Sequence, residues 1–267
     1  MQPRIAGIVR EEEAVSIPVR LKHGKVIGLL TPVTISALND DALVGKLTDW
    51  RNSMRACFLT QAAVTPATTR AFLSNSLFTD STRMLFVVHS LTQPVGTLGL
   101  KIAPPWVHGA GPTCSDGRGR LAELANLLLG VREGHPMLMY HSELALIEWV
   151  FQELDIDLVW TAVPSDNRVA LTLHKSAGFK QTECIPLHRK TKNGEPHLVP
   201  GEPGQVSPDG LYAQRIELDR NDFLRRRQLP EAQETKGTVP AALGDEPHRI
   251  TSPGLEPPPI QPSVRNI

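Results

Sequence analysis

The sequence predicts an α/β fold, a mixed sheet with helices on both faces, and three observations carry that prediction. Residues 140–154 place Tyr140, Leu144, Ile147, Phe151 and Leu154 at i, i+4, i+7, i+11 and i+14, with His141, Glu148 and Gln152 opposite, the pattern of an amphipathic helix. A continuous apolar strand, "LVWTAV" (158–163), follows, and then "NRVALTLHKSAGF" (167–179), a helix that opens on an Asn and stops at Ala-Gly. Upstream, "RMLFVVHSL" and "VGTLGLKIA" flank "TQP" and read as an antiparallel hairpin over 83–103.

The remaining elements fall into order around these. "VIGLLTPV" (26–33) is a short β-branched run, hence a strand. "DDALVGKLTDWRNSM" (40–54) puts Leu43, Leu47, Trp50 and Met54 on one helical face, with Asn39 or Asp40 as cap. "TPATTRAFLSNSLF" (65–78) begins with a Thr cap and a Pro at the first helical position, the start signal of a second helix. After a Gly/Pro-rich loop at 104–119, "LAELANLLLGV" (121–131) is ambiguous by periodicity, but the turn-like "REGHP" behind it makes at least its second half strand. "FKQTECIPLHRK" (179–190) and "GLYAQRIEL" (210–218) are strands separated by a polar Pro/Gly loop. The order is β-α-α-β-β-β-α-β-α-β-β, and a mixed sheet covered on both faces is the economical way to bury it.

The 267-residue chain, 40% hydrophobic and 21% charged, has the composition of a core-forming domain. Lys plus Arg equals Asp plus Glu at 28 each, so no global field recruits nucleic acid or an anionic membrane. The run Arg225-Arg226-Arg227 reads as a solvated end of the domain rather than a contact. Cys57, Cys114 and Cys184 show neither CxxC nor Cys/His spacing, which argues against a disulfide framework and a zinc site and for a reducing, cytoplasmic setting. An acidic triplet stands where a signal peptide needs its apolar stretch. From residue 228 the chain holds 8 of its 23 prolines and no Trp, Tyr or Phe, so 228–267 is expected to be a disordered tail. Residues 1–25 are weakly patterned and are expected to form a flexible arm, leaving a folded unit at 26–227.

This order, closed by "SDNRVALTLHKSAGF", resembles the Gcn5-related N-acetyltransferase superfamily, in which Asn-x-x-Ala-x-x-Leu-(Tyr)-x-x-x-Gly-Phe closes the acyl-CoA site. Asn167, Ala170, Leu173, Gly178 and Phe179 match. "LTDWRNSMRACFLTQAAVTPATTRAFL" resembles the "WRN … IT" opening of the branch that holds ribosomal-protein and amino-sugar N-acetyltransferases, and "PVGTLGL" its "IG…G" strand. The resemblance covers roughly 27–218 and implies a mostly antiparallel sheet, acetyl-CoA as co-substrate and no metal.

Its site residues follow by position. An acyl-CoA pyrophosphate needs converging backbone N–H groups, and "GVREGHPMLM" (130–139), before the clearest helix, offers them. Arg132, Gly134, His135, Met137, Leu138 and Met139 are therefore the expected cofactor residues, with Asn167. Pro136 suits the first helical turn, and Arg132 and His135 would add positive charge. The family's loop resembles (Gln/Arg)-x-x-Gly-x-(Gly/Ala), whereas Met137 and Met139 stand at its small-residue positions, so this loop must be rearranged or bind more loosely.

His174 occupies the position where the family commonly has a Tyr that protonates the departing thiolate, and an imidazolium can do the same. The other reading makes it a polar residue on the partly exposed flank of a short helix. For the base, Glu123 is the candidate, against a solvated carboxylate at the start of a strand. Arg51 and Asn52 could reach a polar acceptor or simply cap their helix, while Trp50 is a core residue before it is a stacking platform. The implied activity is transfer of an acetyl group to a primary amine, with a small metabolite such as an amino sugar ahead of a protein N-terminus, no nucleic-acid or membrane partner, and a homodimer left open. The altered loop and the His in place of Tyr leave a second reading, a catalytically degenerate module that binds acyl-CoA or a partner without turnover.

Overall fold

The computed structural model describes residues 3–102, 120–192, 194–202 and 204–228. The expected tail beyond residue 228 and the whole 104–119 loop, with Cys114, lie outside the described residues. One sheet of nine strands organises the chain, in the order β1-β2-β3-β4-β5-β6-β9-β7-β8. Its strands are β1 Ile17–Arg20, β2 Val26–Pro32, β3 Arg83–His89, β4 Pro94–Lys101, β5 Leu121–Leu129, β6 Leu158–Pro164, β7 Lys180–Lys192, β8 Glu195–Pro200 and β9 Leu211–Asp219. Every neighbouring pair is antiparallel except β5 and β6, which run parallel.

Six helices cover it: α1 Pro3–Val9, α2 Asp41–Ser53, α3 Pro66–Phe72, α4 Leu138–Glu153, α5 Arg168–Ala177 and α6 Arg220–Gln228. The caps read from the sequence form. Asp40 accepts from the Leu43 N–H at 2.9 Å, Thr65 and Thr68 close a capping box, and Asn167 accepts from the Ala170 N–H at 3.2 Å. Gly178 ends α5 at φ 109°, a left-handed position where a Cβ would be strained and would also meet the Arg226 guanidinium at about 3 Å.

The main core lies on the face covered by α4, with Phe86, Leu98, Leu124, Val159 and Ile216 from the sheet meeting Leu146, Ile147, Val150 and Phe151. A second cluster on the opposite face packs Val44, Leu47 and Trp50 of α2 against Leu85, Val87 and Leu128.

Three elements depart from the sequence expectation. The N-terminal segment is no flexible arm: Ile5, Ile8 and Val19 are completely buried, α1 joins the main core, and β1 pairs with β2. Apolar residues at 5, 8 and 9 make one short helical face, too brief to register as periodicity but sufficient to dock. β8 lies within the stretch expected to be loop, as the second strand of a hairpin with β7, and its outer side is held by Leu198 N–H donating to the Leu59 carbonyl at 2.8 Å. α6 is almost wholly polar but anchored by the buried Phe223, and its basic run is partnered: Arg225 with Asp222, and Arg227 with Glu148 at 2.7 Å. β5, of which at least the second half was expected to be strand, is strand throughout.

Candidate active site

The parallel pair β5 and β6 creates the site. They are in register only over Leu121–Leu158, Ala122–Val159 and Glu123–Trp160; beyond that β5 stays with β4 while β6 stays with β9. The sheet therefore parts at the C-terminal ends of two parallel strands, the usual place for a ligand cleft in a sheet that contains parallel strands. β5 is also bulged there: Asn126 takes φ 52°, the register against β4 slips between Thr97 and Gly99, and the Thr97 hydroxyl donates to the Asn126 carbonyl at 2.9 Å.

Glu123 sits at the last paired position before the strands separate. Its neighbours across the sheet are Lys101 on β4 and Trp160 on β6, and Trp160 is in turn paired with Glu217 on β9. Burial pushes the Glu123 carboxyl above its ordinary value, against the opposing pull of Lys101, Arg83 and Arg215. The reading of a solvated strand-start carboxylate thus gives way to a partly buried group. Beside it, Arg215 lays its guanidinium over the Trp160 ring at 4.8 Å and donates from Nε to Glu217 at 2.8 Å, both charges being nearly fully buried. This pair was not singled out from sequence, although two opposite charges at i and i+2 in an apolar strand share a face and were the available signal.

The raised carboxyl has a consequence for stability. Where the folded value exceeds the unfolded one, the native state binds more protons, so stability falls as pH rises from the ordinary glutamate value through the raised one. Glu123→Gln should remove that decline and raise the melting temperature at neutral pH; a pH series of thermal denaturation curves that coincides with wild type would place the burial cost elsewhere.

The loop between β5 and α4 supplies donors. Among the described residues, the backbone N–H groups of Arg132, Glu133, Gly134 and His135 donate to no acceptor in the chain, Gly134 sits at φ 90°, and Arg132 is exposed without an ion pair. The side chains depart from expectation. His135 accepts the Met137 N–H on Nδ1 at 3.2 Å, just ahead of α4. Leu138 and Met139 point into the main core, where their space is provided by glycines on the sheet: a Cβ at Gly28 would strike Leu138, and one at Gly96 would crowd the Met139 sulfur. Of the two methionines at the positions where small residues were expected, Met139 is turned into the core, whereas Met137 stays half-buried on the loop. The side chains of Leu138 and Met139 are thus taken up by the core, and the Leu138 N–H donates to the His135 carbonyl at 2.9 Å.

On α5, Asn167 is committed through Oδ1 to capping. His174 is not on an exposed flank: it is 3% exposed, its ring meets Phe179 edge-on at 5.3 Å, and its Nδ1 is hydrogen-bonded to Glu143 of α4, itself completely buried. Glu143 escaped sequence reasoning because nothing local marks a carboxylate 31 positions upstream as a partner.

At the other side, Asn52 spends both ends of its amide on Val64, donating to its carbonyl and accepting its N–H at 2.8 Å each. It pins the 55–64 segment and is a structural residue rather than an acceptor contact. Arg51 stacks over Phe58 at 3.8 Å and donates from Nη2 to the Thr60 carbonyl, while its Nη1 is buried without a partner and burial lowers its value. Trp50 is core, its ring lying on the backbone of Gly130 at the end of β5. Among the described residues there is no group of three or more His, Cys, Asp or Glu that could hold a metal, and no helix long and apolar enough to cross a membrane.

No protein-family model matches the chain, and no curated protein matches it in sequence. Its fold does match solved structures. The aminoglycoside acetyltransferase AAC(6')-Ib, in complex with ribostamycin and coenzyme A, superposes with a TM-score of 0.53 at 17% identity, covering 71% of this chain and 95% of that one. RimL, a ribosomal L7/L12 α-N-protein acetyltransferase in complex with coenzyme A, gives 0.52 at 16% identity over 77% and 98% of the two chains. FdhC, a nucleotide-linked sugar GNAT, gives 0.52 at 11% identity over 80% and 96%. The chain thus has the fold of the Gcn5-related N-acetyltransferases.

Proposed function

We propose that the protein is an acyl-CoA-dependent N-acyltransferase that moves an acetyl group from acetyl-CoA to the primary amine of a small metabolite, an amino sugar being the favoured class. The observation that carries this reading is the parting of β5 and β6, with a carboxyl raised by burial at their last paired position and, in the loop that follows β5, backbone N–H groups that meet no acceptor among the described residues. The neighbours bound to coenzyme A support the donor, and the ribostamycin complex and the sugar enzyme support the acceptor class.

The residues present suit coenzyme A. The N–H groups of 132–135 and the N-terminus of α4 would face its pyrophosphate, Arg132 would add charge, and the free strand edge of β5 would take the pantetheine amides. When bound, it supplies the activated acetyl group. Glu123 then accepts the amine proton, for which a carboxylate raised above its ordinary value is suited, and His174 returns a proton to the departing sulfur. A backbone N–H of β5 polarises the carbonyl. Arg51, with one buried nitrogen unpartnered, would hold an oxygen of the acceptor.

Titration calorimetry with acetyl-CoA, combined with thiol release over a panel of amino sugars, other amines and N-terminal peptides, tests the reading. Binding with release on a small amine is expected; absence of binding would overturn it, and binding without release from any amine would mark a non-catalytic module. Arg132→Ala should weaken coenzyme A roughly threefold to fivefold, the worth of one exposed ionic contact, and leave pantetheine untouched. Equal losses for both ligands would assign Arg132 to structure.

A further inference from the structure

We infer that Glu143 is the positioning residue of His174, and that the two side chains work as a dyad in which Nδ1 is held by the carboxylate and Nε2 exchanges the proton. The inference rests on the transferase reading above and assigns a role to a residue on a different helix.

Both groups are enclosed: His174 is 3% exposed and Glu143 fully buried. The contact joins α4 to α5 through Nδ1 and Oε1, while the other carboxylate oxygen, Oε2, and the adjacent Ser142 hydroxyl meet no hydrogen-bond partner among the described residues. A carboxylate buried with half its capacity unused is a poor stabiliser. Apolar residues of the same volume join two helices at least as well, and they leave no charge to desolvate. Around the pair the two helices meet mainly through apolar residues, with Leu144, Ile147, Leu171 and Ala177 in the common core, and through the Tyr140 hydroxyl, which donates to the Ser176 carbonyl at 3.4 Å. A polar pair kept in such surroundings calls for an explanation other than packing.

Its geometry supplies one. An imidazole whose Nδ1–H is given to a carboxylate has its tautomer and its ring plane fixed, so the proton that can be exchanged is the one on Nε2. No hydrogen bond to His174 Nε2 is made by the described residues, and the ring is held from the side by Phe179. Nε2 is therefore the nitrogen left for chemistry. In the reaction, the amine nitrogen bonds to the acetyl carbon and the carbon–sulfur bond breaks. The amine proton goes to Glu123, and the sulfur takes the Nε2 proton of the imidazolium. His174 is left neutral with Nδ1–H still on Glu143, and both groups re-equilibrate with solvent.

The test combines two readouts on the full-length protein. With ¹⁵N-labelled histidine, the ring nitrogens of His174, identified by their loss in His174→Phe, should show a protonated Nδ1 in wild type and a mixed population in Glu143→Gln, where the amide can either donate or accept. In single-turnover thiol release with acetyl-CoA and the best amine of the panel, Glu143→Gln should be slower by about 10²-fold at unchanged acetyl-CoA affinity. Adding Glu143→Gln to His174→Phe should cost nothing further, as for groups that act as one unit. An unchanged rate per folded molecule in Glu143→Gln, or fully additive losses, overturns the dyad while leaving the transferase reading intact. A wild type that releases no thiol with any amine overturns both. Should Gln not be tolerated in the core, the wild-type nitrogens decide alone: an unprotonated Nδ1 overturns the assignment.

Discussion

Replacing His174 by Phe is expected to slow the chemical step by about 10²–10⁴-fold, the usual size of a general-acid contribution, while the acetyl-CoA dissociation constant changes little. Phe keeps a planar ring next to Phe179 and removes both nitrogens, so the loss reports proton transfer and not a collapsed core. It also leaves Glu143 buried without the one hydrogen-bond partner it has among the described residues, and some fall in melting temperature is expected from that alone. The kinetic and thermal effects separate in the double variant His174→Phe/Glu143→Leu, which restores an apolar helix contact: stability should return and the rate should not. Tyr at position 174 should recover part of the rate, since a phenol donates from a similar direction. Stopped-flow thiol release on folded protein is the measurement. Unchanged turnover in His174→Phe would remove the residue from the mechanism and leave the buried pair as an interhelical contact only.

What the sequence made legible divides along physical lines. Elements announced by local chemistry were readable: the Asp40, Thr65 and Asn167 caps, the left-handed Gly178, and the hairpin around "TQP" each depend on residues within one turn of one another. Elements defined by what they dock against were not. β8 carries Pro196 and Pro200 and reads as loop because its pairing is with β7 and, from outside, with the 59–61 segment. α6 has a single buried apolar residue, Phe223, and no periodicity to detect. The same division runs through the site. The position of His174 was legible by resemblance to a known motif, but its burial and its partner were not, because Glu143 comes from another helix. Where the side chains of the loop residues point was not legible either: Leu138 and Met139 face glycines of the sheet, His135 accepts the Met137 N–H, and on α2 Asn52 clasps Val64, all outcomes of side-chain direction that only packing decides.

Ile8→Ala should lower the melting temperature by on the order of 10 °C, and Ile8→Asp by considerably more. The expectation turns on the N-terminal segment, which by sequence is a loose arm and by structure is part of the domain. α1 has seven residues, far below the length at which a helix is stable by itself, so its existence depends on docking. Ile5 and Ile8 are completely buried in the cluster that also holds Met84, Phe86 and Phe151. Arg4 fastens the outer side: it donates to Glu13 at 2.9 Å and to Glu153 at 2.5 Å, and its guanidinium lies 5.9 Å from the Trp149 ring. Removing a fully buried branched aliphatic side chain costs about 2–5 kcal/mol, and 1 kcal/mol shifts a domain of this size by roughly 2–4 °C. Asp at the same place adds the desolvation of an unpaired carboxylate, a cost comparable to a large part of a domain's total stability of about 5–15 kcal/mol. Loss of α1 would also loosen β1, because the two are joined by a short connection and β1 holds the sheet edge through β2 alone. Hydrogen exchange should then show residues 3–20 losing protection first, with β2 following. A melting curve for Ile8→Asp that overlays wild type would mean that the segment is detached in solution and that the sheet ends at β2.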